Sequence, residues 1–178
     1  MKSFEEITAA IVDQFGEKVV VKAEGGVIQP YLELEPQSLP NVCNFLFQNP
    51  EMYFDFLSCI TGIDNGPDAG SMEVIYHLSS IPYGRRLVLK VVIPRETESG
   101  DLPSVPTVSG IWRTADWHER EVYDLLGIQF VGHPDMRRIL LAADWEGYPL
   151  RKDYQEQEYY HGIKVKYEDR NDPGADNN

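Results

Sequence analysis

Two alternating stretches near the middle of the chain restrict its architecture more than any other feature. From Met72 to Leu78, the side chains of Met72, Val74, Tyr76 and Leu78 fall on one side of an extended backbone. From Arg86 to Ile93, Leu87, Leu89, Val91 and Ile93 do the same. Tyr83-Gly84 sits in the short link between them, so the natural arrangement is an antiparallel pair. Val88 and Val92 add apolar side chains to the other face of the second strand, which places it inside a sheet or under cover on both sides.

The flanking segments supply the remaining layers. Ser3 and Glu6 have capping-box spacing, and Phe4, Ile7, Ile11 and Phe15 gather on one helical face that Gly16 ends. Val19 to Val21 and Val27 to Leu34 read as a hairpin turning at Gly25-Gly26, with Pro30 restricting the second strand. Ser38 and Pro40 open a second helix, with Leu39, Val42, Cys43, Leu46 and Phe47 on one stripe, before Asn49-Pro50 stops it. Tyr53 to Ile60, ending in Thr61-Gly62-Ile63-Asp64, reads as a strand, and Asn65 to Gly70 as an exposed loop. Arg95 to Pro106 is polar and broken by prolines, like a linker. Strands and helices without regular alternation predict an α+β fold, a mainly antiparallel sheet with helices packed on one face.

A length of 178 residues accommodates one domain plus an extension, read as an α+β domain over 1–131 and an extended C-terminal arm over 132–178. The formal net charge of −13 repels phosphate backbones and argues against nucleic acid as a partner. No apolar run reaches the roughly 18 residues that a bilayer span needs, and MKSFEEITAA lacks the pattern of an export signal, so the chain is expected to be neither integral nor exported. Cys43 and Cys59, in no CxxC spacing, are too few to hold an iron-sulfur cluster or a Cys-rich zinc site, and read as free cytoplasmic thiols.

Asp116 to Tyr154 carries the densest chemistry. Asp116 and Glu119 have capping spacing, Arg120 and Asp124 are placed to pair along a helix, and Val122, Leu125 and Leu126 form a narrow apolar stripe stopped by Gly127. His118-Glu119-Arg120-Glu121 invites a metal or acid/base reading, but the residue four positions after His118 is Val122, where a zinc-protease helix needs a second His. Glu119, Arg120 and Glu121 then read as a structural charge network, and His133 before Pro134 as a turn or interface residue. Beyond Gly132 the chain is punctuated by Pro and Gly and rich in Arg137, Arg138, Trp145, Arg151, Lys152 and Tyr154, residue types that dominate protein interfaces. Such an arm suits the surface of a neighbour, where truncating Trp145 or Arg151 is expected to weaken association and spare the isolated fold. Tyr159, Tyr160, His161 and Tyr167 continue it, and the polar end NDPGADNN is expected to be disordered or ordered only on a partner.

Glu119-Arg120-Glu121 through Tyr123-Asp124-Leu125, Gly127-Ile128 and Gly132-His133-Pro134 begins a long signature. It continues with Arg138-Ile139-Leu140, Asp144-Trp145-Glu146-Gly147 and Pro149-Leu150-Arg151-Lys152-Asp153-Tyr154. Together these residues closely resemble the C subunit of NADH-quinone oxidoreductase, the 30 kDa subunit family of respiratory complex I. Leu126 and Ala142 depart from the pattern, which usually has Phe and Pro there, and the N-terminal part carries no signature.

The resemblance implies a peripheral-arm subunit on the cytoplasmic side of the bacterial inner membrane, associated with the membrane only through its complex. It implies no cofactor in this chain, with FMN and iron-sulfur clusters in partner subunits. It implies packing against the D and B subunits that frame the quinone cavity, and a structural part in electron transfer from NADH to quinone, with no catalytic site of its own. Two alternatives stand beside it: the equivalent subunit of a membrane-bound hydrogenase or ferredoxin-linked relative, and a free-standing metal-dependent enzyme using His118, Glu119 and Glu121.

Overall fold

The computed structural model describes residues 2–165, so Tyr167 and the NDPGADNN end lie outside the described residues. Helix α1, Phe4–Phe15, opens with the reciprocal cap: Glu6 N–H donates to Ser3 Oγ at 3.3 Å, and Ser3 N–H donates to the Glu6 carboxylate at 2.6 Å. Its stripe buries Ile7 and Ile11. A short 3-10 turn leads to strand β1, Val20–Glu24, paired antiparallel with β2, Tyr31–Leu34. The second strand of this hairpin is shorter than the apolar run from Val27, because Pro30 lacks the N–H that a ladder requires; Ile28 is fully exposed in the intervening bend.

Helix α2, Leu39–Gln48, buries Leu39, Val42, Cys43 and Leu46, so Cys43 is a core residue. Strands β3 (Phe56–Asp64), β4 (Ser71–Ser80) and β5 (Arg85–Pro94) follow. The sheet order is β1-β2-β5-β4-β3, with all neighbours antiparallel except the parallel β2–β5 pair. The strand with apolar side chains on both faces, β5, is thus the central one.

Strict alternation divides the sheet. Met72, Val74, Tyr76 and Leu78 of β4 and Leu87, Leu89, Val91 and Ile93 of β5 are buried in one core with the inward residues of the helices. On the other face, Lys90 lies between Glu33 at 3.1 Å and Glu73 at 3.7 Å, and most residues are half-buried. This is the α+β fold expected, helices on one side of a mainly antiparallel sheet.

Two expectations are corrected beyond β5. The polar run from Arg95 to Pro106 is no free linker: Arg95 is 3% exposed, and β6, Ser104–Pro106, pairs in parallel with β7, Gln129–Val131. Helix α3 spans Arg113–Leu126, starting three residues before the Asp116 cap position, with no side-chain cap. Side-chain bonds to β3 and to the turn before it fix the earlier start, since Trp112 Nε1 donates to Phe54 O at 3.0 Å and Thr114 Oγ1 to Leu57 O at 3.1 Å. Gly62 lets α3 seat closely on β3, because a Cβ there would come within 2.4 Å of Leu126 Cδ1. Gly127 closes the helix in the left-handed region at φ 68°.

From Gly132 the chain turns back across α3 instead of standing off it. Strands β8 (Tyr159–Tyr160) and β9 (Ile163–Lys164) close a small hairpin at His161-Gly162, both residues with the positive φ that a two-residue turn requires.

Candidate functional site

Helix α3 buries three charges, one satisfied by the loop after β6 and two by the arm. Glu119, fully buried, accepts from Val108 N–H at 2.8 Å and from Thr107 Oγ1. Burial pushes its carboxyl up to about 7. His133 Nδ1 accepts the Asp135 N–H at 3.0 Å, which leaves Nε2 to carry the ring proton; Nε2 lies 3.2 Å from Asp116 O and 3.9 Å from Glu119. His133 is therefore a turn residue that ties the start of the arm to α3.

Arg120 does not pair with Asp124, as their spacing suggests. Its Nε donates to Arg137 O at 3.1 Å, a second nitrogen is 3.8 Å from Asp135, and its guanidinium stacks on Trp117 at 5.2 Å from the ring centre. Asp124 faces the arm: Arg138 donates to Oδ1 at 2.8 Å, and the N–H groups of Ile139, Leu140 and Leu141 all donate to Oδ2, at 2.9, 2.7 and 2.9 Å. Burial alone raises the Asp124 carboxyl, but these bonds outweigh it and hold the group below its usual range. Both side chains thus pair with the arm, chiefly with its backbone groups, and not with each other along the helix.

The arm itself is built around Tyr148. The guanidinium groups of Arg138 and Arg151 lie on its ring, each 5.0 Å from the centre. Arg151 Nε donates to Leu126 O at 2.7 Å, satisfying a carbonyl at the C-terminus of α3, and a Cβ on Gly127 would meet Tyr148 at 2.6 Å. The polar end of Arg151 is thus committed to this chain's own helix.

A further latch lies beneath. Arg95 donates to both oxygens of Asp64, at 2.9 and 3.3 Å, and also to Asp153. Asp64 in turn accepts the N–H groups of Lys152 and Gly66, each at 2.9 Å. Burial would raise Asp64, but the Arg95 and backbone bonds hold it below its usual range. Further out, Trp145 Nε1 donates to Tyr154 Oη at 3.1 Å and its ring packs on Tyr160. Asp144 accepts from Tyr160 Oη at 2.7 Å and contacts His161 at 2.8 Å.

Of the residues read as a charge network, the fold buries Glu119 and Arg120 on α3; of those read as interface residues, it brings Arg138 and Arg151 together on the Tyr148 ring and sets His133 against α3. It does not bring in Glu121, which is exposed, or Arg137, whose exposed side chain pairs with Asp135 at 2.5 and 2.7 Å. The Lys152 side chain is exposed, and its backbone makes the contact. The reading missed Asp64 and Arg95, charged residues at the ends of apolar strands where a buried pair was the available signal. It also missed Trp117, which is 64% exposed.

His118, Glu119 and Glu121 do not converge, since positions two apart on a helix face different ways and Glu119 is buried while Glu121 is exposed. Among the described residues, no three His, Cys, Asp or Glu side chains are grouped to hold a metal ion. Burial pushes the Cys43 thiol far up, so it is not a ligand in waiting.

The family model of the respiratory-chain NADH dehydrogenase 30 Kd subunit matches residues 32–160, from β2 through β8 and including all of α3 and the latches. The chain belongs to this 30 kDa subunit family. The NADH-quinone oxidoreductase C subunit of Chloroherpeton thalassium is 42% identical over 159 residues, 88% of this chain and 63% of that relative. The protein of the same name from Chlorobium phaeobacteroides is 41% identical over 157 residues, covering 87% of this chain and 90% of the relative. This 30 kDa family member thus spans under two thirds of one such relative and most of another. Among solved structures, a chain of the membrane-bound sulfane sulfur reductase, an archaeal respiratory membrane complex, is similar with TM-score 0.68 and 27% identity over 93% of this chain and 96% of that one. The trypsin-resistant fragment (1-134) of Nqo5 is similar with TM-score 0.55 and 30% identity, over 75% and 99%.

Proposed function

We propose that the chain is a non-redox structural subunit in the peripheral arm of a proton-translocating NADH-quinone oxidoreductase, on the cytoplasmic side of the bacterial membrane. It packs against the D and B subunits that frame the quinone site, and FMN and iron-sulfur clusters belong to partner chains. Its task is to hold those subunits in register while electrons pass from NADH to quinone elsewhere.

The observation that carries this reading is the outward side of α3 and the arm. Trp117 on α3, Val131 on β7, and Leu140, Leu150, Tyr159 and Ile163 of the arm are all more than half exposed. Large apolar and aromatic side chains exposed in this number, on and beside a segment latched to α3, suit a protein interface with an apolar centre. Rigid latching also lowers the entropy lost on docking.

A second reading keeps the scaffold role and changes the complex: the likeness to the archaeal sulfane sulfur reductase chain covers more of this protein than the likeness to the Nqo5 fragment. Affinity purification of the tagged chain from membranes of its own host, followed by mass spectrometry, separates the two. Copurified flavin-binding, NADH-oxidising subunits support the first reading. A set of iron-sulfur and membrane subunits without them supports the second, and a chain recovered alone contradicts both.

A further inference from the structure

Away from α3 and the arm, the start of β5 borders a cavity of about 450 Å³. Its walls are Phe4 and Ile7 of α1, Pro30 before β2, and Leu87 and Val88 of β5. The cavity exists because β2 begins opposite Val88, so Arg85 to Leu87 extend past the end of their parallel neighbour. Its volume falls in the roughly 300–1,000 Å³ range of small-molecule sites.

The charged lining is all of one sign, with Gln29 as a neutral polar neighbour. Lys2, Arg85 and Arg86 border the space and no carboxylate does, in a chain whose net charge is −13. Lys2 is engaged by Glu51 at 2.7 Å. Arg85 has no such partner: its Nε and Nη1 are buried and bonded to nothing, while its guanidinium rests on the Tyr83 ring at 5.2 Å. Buried guanidinium N–H groups without acceptors are costly, and a guanidinium is a strong charge-assisted donor to a carboxylate or phosphate.

We propose that this cavity binds an amphiphilic anion, with a carboxylate or phosphate head on Arg85 and an unbranched apolar tail along Phe4, Ile7, Leu87 and Val88. Neither part suffices alone: the head satisfies the guanidinium, and the tail fills the apolar walls. None of the residues proposed to dock a partner lines the cavity.

Isothermal titration of the full chain with decanoate and with decyl phosphate, each below its micellar concentration, tests this. Saturable binding of either anion is expected, and the tighter of the two identifies the head. Decanol, which has the tail without the charge, and acetate and inorganic phosphate, which have the charge without the tail, are expected to bind at least about tenfold more weakly, as loss of a charge-assisted hydrogen bond or of the buried tail implies. Arg85→Met is expected to weaken the anion at least about tenfold while leaving the unfolding midpoint close to that of the parent, since the guanidinium has no ion-pair partner to lose and only its stacking on Tyr83 goes. Failure of both anions to bind overturns the proposal, as do decanol or acetate binding as tightly as decanoate, or affinity unchanged in Arg85→Met.

Discussion

The Asp124 carboxylate and the Arg138 guanidinium lie 2.8 Å apart, and the same carboxylate gathers the three successive N–H groups that follow Arg138. One buried side chain of α3 thereby fixes the direction in which the arm leaves it. Asp124→Asn replaces an acceptor of four donors with a group that presents its own N–H to some of them. It is expected to destabilise the chain by about 2–4 kcal/mol, in line with a buried charge pair broken from one side. Denaturant unfolding measures the loss, and faster proteolysis between Arg138 and Tyr154 than within the sheet locates it.

The second latch separates a buried partner from an exposed one. Arg95→Met leaves Asp64 charged and buried with only backbone donors, an expected loss of about 3–5 kcal/mol. Asp153 binds the same guanidinium with a half-exposed side chain, so Asp153→Asn is expected to cost under about 1 kcal/mol. Equal midpoints for the two variants would show that burial does not govern this triad.

Glu119 makes stability depend on pH in the opposite sense to the two aspartates. Its folded carboxyl titrates at about 7 against an ordinary 4.5, so the folded state keeps a proton that the unfolded chain releases between those values. Its contribution is complete below the lower value and is lost as pH rises through the upper one, by roughly 3 kcal/mol. Asp64 and Asp124, both held below their ordinary 3.8, contribute above that value and lose their effect as pH falls. Glu119→Gln is expected to gain about 2–3 kcal/mol on the parent between about pH 5 and about pH 8, measured by urea unfolding at both. A constant difference across that window would contradict the assignment.

Arg151 distinguishes an internal strut from an interface anchor. Its Nε caps Leu126 O and its guanidinium lies on Tyr148, so Arg151→Ala is expected to lower the stability of the isolated chain by about 1–3 kcal/mol. An unchanged midpoint would restore it to the neighbour's surface.

The sheet was legible because its information is local. Alternation in β4 and β5 names the buried face, and Ser3, Glu6 and Gly16 mark both ends of α1 without reference to anything distant. The start of α3 was not, because Trp112 and Thr114 are bonded to Phe54 and Leu57, nearly sixty positions earlier in the chain. The partners of Asp124 were hidden for the same reason. Spacing offers Arg120, one helical turn away, whereas the fold supplies Arg138 and three amides of a segment with no periodicity. Arg95 and Asp64 each look like loop punctuation, and they become a buried pair only once β3 and β5 flank β4.

The central claim is that the charges of α3 and the arm hold the chain to itself, while the exposed apolar side chains hold it to its complex. Trp117 stacks on Arg120, and Leu140 lies two residues past Arg138 in the segment that Asp124 fixes, so the pair Trp117→Ala with Leu140→Ser probes the outward side without cutting either latch. The most direct measurement is recovery of partner subunits with the tagged double variant from host membranes, alongside its unfolding midpoint. A fall in copurified subunits of at least about tenfold, as expected where two exposed anchors are lost, with a midpoint close to the parent, is the predicted result. Undiminished recovery would place the interface elsewhere and contradict the account.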